Sequence, residues 1–449
     1  MRLPQKPPGY KALFEKGDLL ARLASSDEVN AIRQDADAKY VHWDQFRHRF
    51  TPPQGFSSDD VWRYVRLMRT SRLRALPLVS PSGKVFRYSI PDCLHRDLVF
   101  ADQWAAGQFS MAEPRSLGRA ESDRYLVSSL MEEAITSSQL EGAAVTRPQA
   151  KEMLRAGREP RNVFERMILN NYRAILELRE LKEEPLTIDM IHRLHRIITD
   201  NTLDDPSQAG RFRLPSEPVH VVDERDSTII YTPPPSEQLK ERVTRLCEFA
   251  NDTSEKEFMH PVIRAVLLHF WLAYEHPYAD GNGRTARALF YWYLLRSGYW
   301  LMEYLSISAG LVKAYAKYPR AFLYSETDEG DTTYFLVFQL RIMRRALDAM
   351  RRYIARKQLE TAEMALLLKN RPGLNYRQQA LLHHALKHPG MLYTCKSHGN
   401  SHRVTVQTAR TDLLALAKAG FLEQSRRGRE LIFLSPKDLE RRIRAIARK

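Results

Sequence analysis

The twelve residues His276-Pro277-Tyr278-Ala279-Asp280-Gly281-Asn282-Gly283-Arg284-Thr285-Ala286-Arg287 concentrate groups that can do chemistry. His276 titrates near neutral pH and suits proton transfer. Asp280 offers hard oxygens of the kind that share Mg²⁺ with phosphates. Gly281 and Gly283 flank Asn282, so several backbone N–H groups can face one concavity, and a helix starting there adds its positive end. A phosphate is the natural guest. Arg284 and Arg287, three residues apart, reach one side with forked donors and together suit a di- or triphosphate. Singly these are ordinary residues: a His before Pro is commonly structural, an Asp-Gly a turn, and an arginine pair a solvated face. Their combination is informative because it lies between two stretches too apolar for a surface, 261–275 and 288–295. The chain has neither GxxxxGK[ST] nor HExxH, so neither a P-loop NTPase nor a zincin is indicated.

The elements that must position these groups are mostly helices. Apolar residues recur at i, i+3 and i+4 from Ser122 to Thr199 (Leu126, Leu130, Ile135; Met167, Ile168, Ile175; Ile188, Ile191, Leu194). Two β-branched runs around a polar turn predict a hairpin at 219–231; Pro233, Pro234 and Pro235 end it, and Ser236 is the expected N-cap of a helix through Ala250. An Arg-rich helix is expected from Thr333 to Lys369, broken at Arg371-Pro372-Gly373. Residues 1–115 read as a small, mostly helical domain with a hairpin around Ser82-Gly83. The expected fold class is mainly α, with domains at 1–115, 116–345 and 372–449 and a linker helix at 346–371.

The composition narrows the class. With 43% hydrophobic residues in 449, the chain can build a sizeable core, which excludes disorder throughout. It shows no apolar run long enough to cross a membrane and no secretory h-region at its start, so a cytoplasmic protein without membrane contact is expected. Cys93, Cys247 and Cys395 form no CxxC pair and read as reduced thiols. The formal charge of +15 is unevenly placed: residues 341–449 carry +16, and residues 1–340 carry −1. Any attraction for polyanions therefore belongs to the C-terminal quarter.

His276 to Arg287 resembles the signature of the Fic family, HPFx[D/E]GNGRxxR, with Tyr278 in place of the usual Phe. The likeness extends over about 116–345, through His260-Pro261 before the motif and Gly210-Arg211-Phe212-Arg213 before the hairpin. It implies a helical core with a hairpin flap and transfer of AMP from ATP to a protein hydroxyl. His276 would then be the general base and Asp280 the ligand of Mg²⁺ or Mn²⁺. Gly281, Asn282 and Gly283 would form the anion hole, while Arg284 would hold the leaving phosphates and Arg287 the γ-phosphate. The flap would pair with an extended target segment. Upstream, Ser137-x-x-x-Glu141-Gly142 resembles the family's inhibitory motif [S/T]xxxE[G/N]. Without that resemblance it reads as a solvated Ser/Glu face; with it, Glu141 would occupy Arg287 and the γ-phosphate position.

Residues 404–434 resemble a winged helix-turn-helix, with Thr405 to Ala419 as recognition helix and Arg426, Arg427 and Arg429 in the wing turn. Gln407, Thr408, Arg410 and Thr411 would face a major groove. Winged helices also serve protein contacts and dimerisation, so DNA and a second copy of the chain are both expected partners, beside ATP and a protein target that includes the chain itself. The leading expectation is an autoinhibited protein adenylyltransferase. The alternatives are a DNA-binding regulator that uses the core as a nucleotide-dependent switch, transfer of another group (UMP, phosphate, phosphocholine), and removal of AMP.

Overall fold

A computed structural model describes residues 3–15, 17–106, 119–222, 228–254, 257–369, 373–402, 404–428 and 430–447. The expected boundary near 115, the hairpin turn 223–227, the break at Arg371-Pro372 and the wing residue Arg429 lie outside them. The chain forms two compact units, Met1–Arg351 and Arg352–Lys449, and is mainly helical throughout.

The first unit opens with α1 (Leu19–Ser25), α2 (Asp27–Lys39), α3 (Trp43–Arg49) and α4 (Ser58–Thr70) around Trp43, Phe46 and Trp62. Strands β1 (Arg74–Val79) and β2 (Val85–Tyr88) form the hairpin expected at Ser82-Gly83, with Gly83 at φ 81° in its turn, and α5 (Asp92–Ala101) follows. Two arginines of α4 leave the surface altogether. Arg66 meets Asp328 at 2.9 Å and Asp331 at 3.3 Å, while Arg69 meets Asp37 at 2.9 Å and the Tyr334 hydroxyl at 3.2 Å. Removing one partner of such a buried pair strands the other charge, at a cost of about 3–5 kcal/mol. The N-terminal helices are thereby tied to the segment that follows the motif.

The central part comprises α6 (Arg119–Leu140), α7 (Arg147–Ala156), α8 (Val163–Leu181) and α9 (Ile188–Thr199). Next come strands β3 (Val221–Val222) and β4 (Ile229–Tyr231), paired antiparallel, and α10 (Leu239–Asn251). Ser236 does not cap α10. It begins a short 3-10 turn, Ser236–Gln238, because three prolines fix the entry and the α-helix starts only at Leu239. Helices α11 (Pro261–Glu275) and α12 (Asn282–Arg296) form the centre. Pro261 occupies the first turn of α11, where its missing N–H costs nothing, and His260 Nδ1 accepts the Val262 N–H at 3.2 Å. Residues Val262 to Leu272 are buried on every face, as the unbroken apolar run requires. Helices α13 (Ser308–Lys313), α14 (Tyr318–Thr327) and α15 (Thr333–Lys369) complete the unit, whose boundary falls within α15.

The second unit contains α16 (Tyr376–Lys387), β5 (Leu392–Thr394), α17 (Cys395–His402), α18 (Val406–Lys418), β6 (Glu423–Arg427), β7 (Glu430–Leu434) and α19 (Leu439–Ala447). Its sheet runs β5-β7-β6, all antiparallel, over a core of Leu382, Leu413, Leu416, Phe421 and Phe433. Thr405 caps α18 by accepting the Thr408 N–H at 3.2 Å. The polar segment Cys395–His402 is helical.

Candidate active site

Helix α11 ends at His276, whose backbone turns left-handed at φ 47° while its N–H still bonds the Leu272 carbonyl at 3.0 Å. Histidine tolerates that region better than a branched residue would, and Pro277 after it cannot continue a helix. The ring is held by its own helix, since Nδ1 lies 3.3 Å from the Ala273 carbonyl. A carbonyl can only accept, so Nδ1 carries the proton and Nε2 keeps its lone pair. Burial, the largest influence, pushes the imidazole below its ordinary value, and the Arg213 guanidinium pushes the same way. The base is therefore neutral at neutral pH.

The loop after it is closed by side chains. Asn282 Oδ1 accepts the Tyr278 N–H at 2.9 Å, and its Nδ2 donates to the Tyr278 carbonyl at 2.8 Å. Asn282 thus acts through a staple on the loop. Gly281 caps α12 at φ 80°, where a Cβ would press on Thr199 Cγ2 at 2.8 Å. The Tyr278 ring is fully buried and stacked on His195 at 3.7 Å with 8° between planes. Its hydroxyl, the departure from the Fic signature, lies 3.0 Å from His192 Nδ1, which supplies the partner a buried hydroxyl needs.

Asp280 is the exposed member of the group, its side chain 54% accessible, with Oδ1 accepting the Gly281 N–H at 2.6 Å and Oδ2 the Arg284 Nη2 at 2.9 Å. Arg284 is fully buried and also reaches the Ile198 carbonyl at 3.3 Å. Among the described residues no three His, Cys, Asp or Glu gather to hold a metal. The donor set fits Mg²⁺ only in its phosphate-sharing mode, one carboxylate plus substrate oxygens and water.

Arg287 is turned the other way. Its Nε donates to Ser137 Oγ at 2.8 Å, and its Nη2 donates to the Ser137 carbonyl at 2.9 Å and to Glu141 Oε1 at 2.8 Å. A Cβ at Gly283 would overlap the Glu141 carboxylate, so that carboxylate lies directly against the first turn of α12, where unsatisfied N–H groups attract an anion. Gly142, at φ 85°, turns the chain away after Glu141. Ser137, Glu141, Gly283 and Arg287 therefore meet at one point.

Sequence reasoning gave no role to the residues that hold this arrangement. His195 donates from Nε2 to the Asp280 carbonyl at 2.8 Å and accepts the Gly210 N–H on Nδ1 at 2.9 Å; burial pushes it down to about 4. Arg213 donates from Nε to the His276 carbonyl at 3.0 Å and from Nη2 to Pro234, bridging the loop and the base of the hairpin. Glu133 on α6 is buried and accepts from Tyr291 at 2.8 Å, Ser306 at 2.9 Å, and Ser308 through both its N–H, at 3.0 Å, and its hydroxyl, at 2.5 Å. The available signal was spacing: His192 and His195 share one face of α9, and Glu133, Ser137 and Glu141 recur every four residues.

Residues 185–294 match the model of the Fic/DOC family, so this part of the chain is a Fic domain. The chain is similar to the protein adenylyltransferase Fic of Nematostella vectensis, 30% identical over 168 residues, covering 37% of this chain and 35% of that protein. It is also 33% identical over 122 residues to the protein adenylyltransferase fic-1 of Caenorhabditis elegans, covering 26% and 21%. The chain thus spans about a third or less of these relatives. Among solved structures, a Fic family protein from Desulfovibrio desulfuricans overlaps with a TM-score of 0.49 at 18% identity, over 76% of this chain and 95% of that one.

Proposed function

We propose that the chain is a protein adenylyltransferase that moves AMP from ATP to a Ser, Thr or Tyr hydroxyl and is restrained by its own Glu141. The observation that carries this reading is the 2.8 Å pairing of Glu141 with Arg287 on the α12 N-terminus, beside a histidine whose Nε2 is free to act as base.

In the reaction, His276 Nε2 takes the proton of the target hydroxyl as its oxygen attacks the α-phosphorus. The bond from that phosphorus to the bridging oxygen of the β-phosphate breaks, and pyrophosphate leaves with the electron pair. The N–H groups of Asn282 and Gly283 would face the charge that develops on the α-phosphate, and Arg284 and Arg287 would neutralise the departing phosphates. Asp280 would hold Mg²⁺, which when bound supplies further charge neutralisation to the phosphates. With Glu141 in place, Arg287 is engaged and a carboxylate stands where the terminal phosphate would go. ATP then binds with its reactive phosphorus out of line. The hairpin β3–β4, which forms a sheet of its own, offers strand edges to an extended target segment, a mode that tolerates many sequences. Incorporation of α-labelled ATP with Mg²⁺ tests this: Glu141→Gly should raise it and His276→Ala abolish it, and equal labelling in all forms would refute both assignments.

A second reading, for the C-terminal unit, rests on its exposed polar face: Gln407, Arg410 and Thr411 are exposed on α18, and Arg426 and Arg427 on β6. Asp412 on the opposite face is buried, taking Arg377 and Asn375 at 2.7 Å each, so the cations of α18 and β6 are not consumed by it. Such a surface suits duplex DNA, with α18 at the bases and β6 at the phosphates. The slope of affinity against salt for the full chain tests it.

A further inference from the structure

A cavity of about 830 Å³ opens beside the flap, with Val222 of β3 and Ile230 of β4 on its wall. Among the described residues, six of those lining it are cations, Lys39, Lys313, Lys317, Arg320, Arg341 and Arg345, and none is Asp or Glu. They come from α2, α13, α14, α15 and the turn before α14, so the positive charge surrounds the cavity instead of converging on one point. Lys39 pairs with Asp35, and Arg341 donates to the Lys39 carbonyl at 3.0 Å. Among the described residues, Lys313, Lys317, Arg320 and Arg345 form no ion pair. Four of the six, Lys39, Lys313, Lys317 and Arg320, lie within residues 1–340, which are close to neutral overall. The phosphate-binding groups, Arg284, Arg287 and the α12 N-terminus, are not on its wall, so the reaction described above makes no use of these six.

Like charges held around one cavity repel one another and are retained at a cost unless an anion meets them. A neutral nucleoside needs no such set, and one extra phosphate would call for a focused site. Distributed Lys ammonium and Arg guanidinium groups beside a strand edge suit a chain of spaced carboxylates. We infer that this cleft docks an acidic stretch of the target protein, so that the flap selects a hydroxyl whose neighbours include Asp and Glu. The inference rests on the transferase reading for the identity of the partner. Lys313, Lys317 and Arg345 are its specificity-determining residues: they select the segment and take no part in the transfer step.

The test is direct binding, independent of turnover. A fluorescent peptide bearing one Ser among alternating Asp and Glu, and its Asn/Gln counterpart, are titrated with the full chain at low salt and followed by anisotropy. The acidic peptide should bind at least about tenfold more tightly than the neutral one, and raising the salt should erase the difference. Lys313→Glu, Lys317→Glu and Arg345→Glu together should remove the preference, while Arg426→Glu with Arg427→Glu should leave it. The Gln versions of the same three substitutions, which keep the surface polar without reversing it, should show a partial loss at an unchanged melting temperature. The inference is overturned if both peptides bind alike, if only the β6 arginine variant loses the preference, or if the cleft variant weakens ATP binding and not peptide binding. Labelling by α-labelled ATP in the Glu141→Gly background is read separately: its absence would sink the transferase reading and leave the peptide titration as it stands.

Discussion

His276 does two jobs with one conformation, ending α11 by its left-handed turn and exposing Nε2 by giving Nδ1 to the Ala273 carbonyl. Because burial holds its pKa below the usual 6.5, the neutral base persists below that pH, and activity is lost only as pH falls through the depressed value. The acid limb of kcat/KM for Glu141→Gly is therefore predicted to lie below pH 6.5; a limb above it would contradict the environment described. Tyr278→Phe restores the Fic signature residue and removes only the hydroxyl beside His192. It should cost about 1 kcal/mol in thermal unfolding and leave labelling nearly unchanged. Gly281→Ala should be worse on both counts, losing about 1–3 kcal/mol and measurable ATP affinity, since φ 80° and the Thr199 methyl both oppose a Cβ. The reactive residues were legible because one twelve-residue stretch carries nearly all of them. The roles of His195, Arg213 and Gly210 were not, although Gly210 and Arg213 belong to the family likeness, because they act on the loop through backbone carbonyls and ring faces supplied from distant positions, and a carbonyl leaves no trace in a sequence pattern.

Helix α6 is the element on which the proposed restraint depends. Its polar face invites reading as solvated, yet Thr136, Ser137 and Ser138 are buried and bonded: Ser138 to the Ala134 carbonyl, Ser137 to Arg287. A run of Ser and Thr gives no sign of whether water or a partner helix satisfies it, which is why the inhibitory role needed the motif resemblance. Glu133 anchors the helix from one turn below. Glu133→Ala would leave the Ser308 N–H and hydroxyl without their acceptor and take one of two partners from Tyr291 and Ser306, and is predicted to cost about 3 kcal/mol in thermal unfolding and to raise labelling by loosening α6. Ser137→Ala removes one of three bonds to Arg287 while Glu141 stays, so its labelling should fall between wild type and Glu141→Gly. Labelling no higher than wild type in the Ser137 variant would show that Glu141 alone sets the restraint. The flap and α11–α12 were legible as elements from β-branched runs and an all-round apolar helix; the 3-10 entry to α10 and the helix at Cys395–His402 were not, since prolines and polar residues mask where a helix begins.

At the scale of the molecule, the charge of +15 is held mostly by Arg352–Lys449, a unit with its own core around Phe421 and Phe433, while the chemistry lies in the near-neutral remainder. Arg426→Glu with Arg427→Glu in the full chain should flatten the salt slope of duplex binding by roughly two phosphate contacts and leave labelling untouched. A slope unchanged by both substitutions would remove DNA from the reading of that surface. On the proposed readings the two units do separable work, nucleic-acid contact by one and group transfer by the other. The central claim, that a competent transferase is held off by Glu141, is tested most directly by labelling with α-labelled ATP and Mg²⁺ in wild type, Glu141→Gly, and Glu141→Gly with His276→Ala. The account predicts weak labelling, strong labelling and none, in that order; labelling in the double variant equal to that of Glu141→Gly would contradict it.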